Sequence, residues 1–145
     1  MLRVPASLLT STYRTLQECG RGRNECVVYW TGPVMLLDLA DGHDHPDHRR
    51  SPGEYEIDTK WLTHYWFRLS KEQRAIRAQI HTHPGLAFHS ATDDQFPVVS
   101  QPGFISIVIP SFAMGKILDD IWVGKLETDG RWRAVALDEV IKIIP

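Results

Sequence analysis

The 145-residue sequence is short of several things, and each shortage excludes a class of protein. It has two cysteines, Cys19 and Cys26, too few for the disulfide framework that staples small secreted domains. Both read as small apolar residues of a core, not as a bridge. No apolar run approaches the length of a membrane span, since "FISIVIP" at 104–110 and "VMLL" at 34–37 are strand-length. Charge of one sign is missing too: 16 Lys/Arg against 18 Asp/Glu give −2. Residues 1–80 hold 11 basic and 10 acidic side chains, and the remainder holds 5 and 8. That even spread offers no basic face for a polyanion, so nucleic acid is not expected as a partner. The start, "MLRVPASLLTSTYRTLQ", lacks the continuous apolar segment of a signal peptide, which points to a cytoplasmic address. Repeats and low-complexity tracts are lacking as well. What remains is a chain that is 43% hydrophobic and 23% charged, the balance of a globular protein. Residues 1–145 are read as one compact domain, which at this length buries roughly 68–70% of the surface of the unfolded chain.

The apolar periodicity predicts a helix over 6–19, with Leu8, Leu9, Tyr13 and Leu16 on one face and Gly20 ending it. Strands are expected at 25–30 and 34–40 around a Thr31-Gly32-Pro33 turn, and another at 55–57. Asp58 reads as the cap of a helix over about 59–72, whose apolar side is Trp61, Leu62, Tyr65, Trp66 and Leu69. Residues 75–83 alternate: Ile76, Ala78 and Ile80 face one way, and Arg77, Gln79, His81 and His83 the other. The run at 104–110 is a central strand, Asp129-Gly130 turns a hairpin, and a short helix closes the chain at 138–144. The fold class is therefore α/β, with a mixed or mostly antiparallel sheet flanked by helices.

Titratable chemistry is crowded into "IHTHPGLAFHSATDD" at 80–94. His81 and His83, two apart on a strand, present both imidazoles on one face, close enough to share a metal ion. Pro84 stops the strand. Ser90 and Asp93 form an S-x-x-D helix start, with Ser90 as cap and Asp93 in the first turn on the same side. Two imidazoles from a strand and a carboxylate from a helix start make three ligands, leaving a fourth position for water, which is the arrangement of catalytic zinc. An H-x-H pair alone is cheap in a chain with 7 histidines, at roughly 0.3 chance occurrences; adding Ser and Asp at set offsets lowers this to the order of 0.01. Hydrolysis also needs a proton acceptor, and Glu25, opening a strand backed by "CVVYW", is the candidate.

Glu25 in "NECVVYWTG", then "HTHPG", then "SATD", in that order, resemble the motif of the JAMM (JAB/MPN) metallopeptidases, and the resemblance extends over about residues 3–137. It implies an MPN (JAB)-like fold and a Zn²⁺ held by His81, His83 and Asp93. Glu25 would orient and deprotonate the water, and Ser90 would hydrogen-bond the oxyanion or the water. The family cleaves peptide or isopeptide bonds after the C-terminal glycine of ubiquitin-like proteins or small sulfur carriers. Single-domain versions resemble bacterial members that work beside E1-like and E2-like proteins in ubiquitin-like conjugation systems, some of them antiviral. The partner implied is thus the C-terminal tail of a ubiquitin-like protein and its conjugates. The spacing from His83 to Asp93 is one residue shorter than in better-known members, which leaves Asp94 as an alternative ligand; the pairing with Ser90 favours Asp93. His89 is read as lining the cleft or supporting the ligands.

The second histidine cluster, "DGHDHPDHRR" at 41–50, lies in a Pro/Gly loop, and ordering it would cost backbone entropy. His43, His45 and His48 are read as a solvated polar loop and not as a second metal site. The resemblance adds a role in gripping a substrate tail, for this loop or for "SFAMGKILDD" at 111–120. Two other functions share parts of this pattern. A catalytically silent MPN scaffold would lack one or more of the five motif residues, and all five are here. A JAMM peptidase acting on a sulfur-carrier or small amino-acid conjugate keeps the chemistry and changes the substrate.

Overall fold

The computed structural model describes residues 1–90, 93 and 98–145. Its strands are β1 (Leu2–Pro5), β2 (Val27–Pro33), β3 (Gly42–Asp44), β4 (His48–Arg50), β5 (Tyr55–Ile57), β6 (Arg74–Thr82), β7 (Ile105–Ile109), β8 (Trp122–Leu126), β9 (Trp132–Ala134) and β10 (Ile141–Ile144). The helices are α1 (Ala6–Gly20), α2 (Thr59–Glu72) and the single turn α3 (Leu137–Val140). Six strands form a mixed sheet in the order β3-β2-β6-β7-β8-β9, in which β6 and β7 run parallel and the other neighbours antiparallel.

A helix covers each face of the sheet. Because side chains alternate along β2, Val28 and Trp30 face α1 while Val27 and Tyr29 face α2. On the first side Leu8, Leu9, Tyr13 and Leu16 of α1 pack on Val28, Ile80 and Ile107. On the second, Tyr65 and Leu69 of α2 join Val27, Phe104 and Leu126. Trp30 is the largest fully buried side chain, and its indole N–H donates to the Thr12 hydroxyl at 2.8 Å, so its burial leaves no polar atom unsatisfied. The Asp58 carboxylate accepts the Trp61 N–H at 2.8 Å, capping α2 as expected.

Several expectations are corrected. Residues 34–40 do not form a strand: Leu36 N–H bonds to Pro33 O and Leu39 N–H to Leu36 O, closing successive turns. Met35 and Leu37 are consequently left 85% and 77% exposed. Gly32 permits this fold-back, because a Cβ there would stand 1.9 Å from the Leu39 carbonyl oxygen. The clean alternation of β6 is broken by a bulge: Trp30 pairs with Ala78 but Thr31 with Ile76, so Ile76 turns to the α2 side, away from Ala78 and Ile80. The turn closing α1 is made by Arg21 in the left-handed region (φ 53°), one residue beyond Gly20. In place of the short helix expected over 138–144, a single turn at Leu137–Val140 gives way to β10, which pairs in parallel with β1. Trp66 is 42% exposed, outside the buried side of α2. Finally, Cys19 and Cys26 are not free core thiols but a disulfide, with Cα atoms 6.2 Å apart. The turn after α1 carries the chain back past the helix end, so Cys26 at the entry to β2 returns to Cys19.

Candidate metal centre

The candidate residues lie at the carboxyl ends of the parallel strands β6 and β7, the end at which α/β sheets commonly bind ligands. His81 and Thr82 are the last residues of β6, and His83 continues its pairing by donating its N–H to Ile109 O at 2.9 Å. Antiparallel β2 enters the sheet at this same end. Val27 stands opposite His81, Thr82 N–H donates to Cys26 O at 3.0 Å, and Cys26 N–H donates to the Thr82 hydroxyl at 2.9 Å. That register brings Glu25 beside His83 across 58 positions of sequence, with Glu25 Oε1 at 3.9 Å from His83 Nε2.

Asp93 completes the group. Its Oδ2 lies 3.3 Å from His83 Nε2 and 3.6 Å from His81 Nε2. Ser90 and Asp93 bond reciprocally: Ser90 N–H donates to Asp93 Oδ2 at 2.9 Å, and Asp93 N–H to Ser90 Oγ at 3.1 Å. This is the capping geometry expected of S-x-x-D, and it aims the carboxylate inward. Asp94 lies outside the described residues. All five residues singled out from the sequence thus converge on one point.

The electrostatics are those of a poised donor set. His81 is fully buried, and its burial pushes its pKa down to about 4, so it is neutral at pH 7. Neither ring nitrogen of His81 has a hydrogen-bond partner among the described residues, a costly state for a buried imidazole unless a cation takes one of them. Burial also pushes Glu25 up to about 7, the nearby Asp93 and Glu54 charges adding to it and His83 opposing it. Burial works against the Asp93 charge, but the His83 hydrogen bond, the His81 charge and the Ser90 amide outweigh it and hold Asp93 below the usual carboxylate range. The separations fit a metal: ligands about 2.0–2.2 Å from a tetrahedral ion stand about 3.3–3.5 Å from one another. The two imidazole-to-carboxylate distances, 3.3 and 3.6 Å, match that edge.

Around His81 and His89, which the sequence reading named, stand Tyr55, Ser106 and Trp122, which it did not. Tyr55 of β5 packs its ring 5.4 Å from that of His81. His89 bonds Ser106 Oγ at 3.1 Å through Nε2 and stacks on Trp122, with ring centroids 4.7 Å apart and nearly parallel. Ser106 Oγ also accepts from Gln79, so β6, β7 and the 84–90 segment are tied together beside the histidines. Only Gln79, on the histidine face of the alternating pattern, gave any sign of this in the sequence. Ligand atoms of His81, His89 and Asp93 lie within 4.8 Å of one another, so His89 borders the centre. The 41–50 segment is not a solvated loop. It carries β3 and β4, and His43, His45 and His48 are all half-buried.

No family model matches the chain. A 45-residue stretch, 31% of the chain, is 49% identical to a Sinorhizobium fredii protein named a probable metalloprotease and covers 28% of that protein's length. Solved structures agree over nearly all of the chain. A protein from Desulfitobacterium hafniense superposes with a TM-score of 0.72 at 14% identity, over 99% of this chain and 93% of that one. A JAB1/MPN domain protein from Archaeoglobus fulgidus does so at 0.59 and 10%, over 99% and 97%. A protein from Salinibacter ruber gives 0.63 and 15%, over 93% and 89%. The fold is that of an MPN domain. The motif residues and the short metalloprotease match are consistent with that fold, and the chain spans about a quarter of the length of the curated relative it matches.

Proposed function

We propose that the chain is a zinc-dependent isopeptidase or peptidase that cleaves after the C-terminal tail of a ubiquitin-like protein, releasing it from a conjugate or a precursor. The observation that supports this most is the pairing of a buried, high-pKa carboxylate, Glu25, with a converging two-histidine, one-aspartate donor set. His81, His83 and Asp93 would hold Zn²⁺, the neutral His81 imidazole and the ionised Asp93 carboxylate already being in the protonation states that binding requires. Burial lowers the His83 pKa, but the Asp93 and Glu25 carboxylates outweigh it and raise the pKa, so binding there displaces a proton more readily lost at higher pH. A zinc ion held by these residues would supply Lewis-acid polarisation of the scissile carbonyl and a water acidified toward a pKa of about 7. Glu25 takes the proton of the attacking water and passes it to the leaving amine; a carboxylate titrating at about 7 is matched to both halves of that transfer. Ser90 holds Asp93 in place and offers its hydroxyl proton to the oxyanion. An extended tail ending in glycine suits a cleft at the end of a sheet, where backbone pairing carries much of the affinity. E1-like and E2-like proteins of the same system would be its partners, and antiviral defence its setting. Among the described residues no helix is long and apolar enough to cross a membrane.

The test is cleavage of a fusion in which the ubiquitin-like protein encoded nearest this gene precedes a reporter. The reading expects zinc-dependent cleavage directly after the tail. Zinc-loaded protein that binds such a fusion without cutting it would leave a scaffold in place of an enzyme.

A further inference from the structure

A second group of metal-binding side chains lies behind Glu25. Ligand atoms of Cys19, His45 and His48 lie within 4.8 Å of one another. Cys26 adds a second sulfur, since it is bonded to Cys19. Three ligand atoms therefore lie together with a second sulfur one bond away from the first, drawn from the end of α1, the entry to β2 and the segment that runs into β4.

We propose that, once the Cys19–Cys26 bond is reduced, Cys19, Cys26, His45 and His48 form a closed four-ligand zinc site distinct from the catalytic centre. The geometry carries it. Around a tetrahedral zinc, a sulfur at about 2.3 Å and a nitrogen at about 2.0–2.1 Å stand about 3.5 Å apart. Cys19 Sγ and His48 Nε2 are 3.6 Å apart. On its other side the His48 ring is already oriented as zinc-binding histidines are: Nδ1 donates to the Pro46 carbonyl at 2.8 Å, which leaves Nε2 facing the Cys19 sulfur. The His45 ring meets the His48 ring edge-on at 5.3 Å, so both imidazoles border the same space. Four protein ligands with no position left for water define a structural site.

Two forms of the site follow. A dithiol reductant opens the Cys19–Cys26 bond by exchange, ending as its own disulfide and leaving two protein thiols. Zn²⁺ then binds both sulfurs as thiolates and two protons leave. In a reducing compartment, where disulfides are rare, the zinc form is the resident one; in an oxidising one the disulfide ties α1 to β2. Either form pins the segment that carries Glu25, which adjoins Cys26 and donates its N–H to Ser51 O at 2.9 Å. Tyr55 lies between the two centres, its ring 6.2 Å from His48 and 5.4 Å from His81.

The probe is Co²⁺ added to full-length protein stripped of metal, with and without a dithiol reductant. The reduced wild type should bind one equivalent more than the oxidised protein. That extra equivalent should show thiolate-to-cobalt charge-transfer absorption, which the His81, His83 and Asp93 set cannot give. The His81→Ala/His83→Ala variant should keep the band, so failure of the catalytic reading leaves this one standing. His48→Ala and Cys19→Ser should each lose it, and His48→Ala, with both cysteines intact, answers for any folding defect of Cys19→Ser. Two titratable thiols in reduced, cobalt-saturated wild type with no charge-transfer band would overturn the proposal, as would an undiminished band in His48→Ala.

Discussion

Thr82 grips Cys26 twice, its N–H donating to the Cys26 carbonyl at 3.0 Å and its hydroxyl accepting the Cys26 N–H at 2.9 Å. Both residues are fully or almost fully buried, and they stand between Glu25 and His83 on their strands. Thr82→Val keeps the shape and leaves the Cys26 N–H buried without an acceptor, which costs about 1–3 kcal/mol. Urea denaturation should show that loss. Cleavage should fall further than metal content, because the clamp aligns Glu25 and not the proposed ligands. Equal stability of variant and wild type would mean the hydroxyl bond contributes nothing.

Glu25→Gln separates base from ligand. Glutamine matches glutamate in size and hydrogen-bonding reach but takes no proton at neutral pH. The variant should keep its zinc and fold and lose at least about a hundredfold in cleavage rate, the lower range of general-base catalysis. Zinc content and rate measured side by side decide it; an unchanged rate removes Glu25 from the role of base.

Gly32→Ala tests the fold-back that leaves 34–37 on the surface. The added methyl would stand 1.9 Å from Leu39 O, a backbone atom that cannot swing aside as a side chain can. Overpacking of this kind costs about 1–3 kcal/mol or more, so a thermal melt should shift down by several degrees. An unshifted melt would show that the 33–40 segment moves without cost.

The elements visible in the sequence are those governed by near neighbours. Asp58 three residues before Trp61 marks the α2 cap, and Ser90 three before Asp93 marks the reciprocal bonds of the metal centre. Gly130 sits at φ 81° in the hairpin turn expected of Asp129-Gly130. What stayed hidden depends on partners far along the chain. β1 pairs with β10 across nearly the whole sequence, and Leu2 carries no sign of Ile141. The turn of Ile76 to the α2 side comes from a bulge opposite Thr31, which periodicity within β6 alone does not reveal. The apolar "VMLL" run reads as a strand until Gly32 is seen to admit the Leu39 carbonyl. Cys19 is likewise joined to His45 and His48 only by the return of a separate segment, at a spacing wider than common zinc motifs.

Ser90→Ala and Asp93→Ala should part company in metal binding. Asp93 is one of three proposed ligands, and its removal leaves two imidazoles, too few to hold zinc against a competing chelator. Ser90 touches the metal only through Asp93. Its side chain accepts the Asp93 N–H, while its own backbone N–H, which the alanine variant keeps, still donates to Asp93 Oδ2. Loss of the hydroxyl therefore loosens the carboxylate without removing it. Supporting contacts of this kind are worth about 10–100-fold in metal affinity. Chelator competition should place Ser90→Ala between wild type and Asp93→Ala. At saturating zinc Ser90→Ala should still cleave slowly, because the oxyanion loses a donor worth about 10²–10³-fold. Asp93→Ala should recover no activity at any zinc concentration short of denaturing the protein. If zinc restores Asp93→Ala fully, Asp93 is not a ligand, and the Asp94 carboxylate becomes the residue to replace.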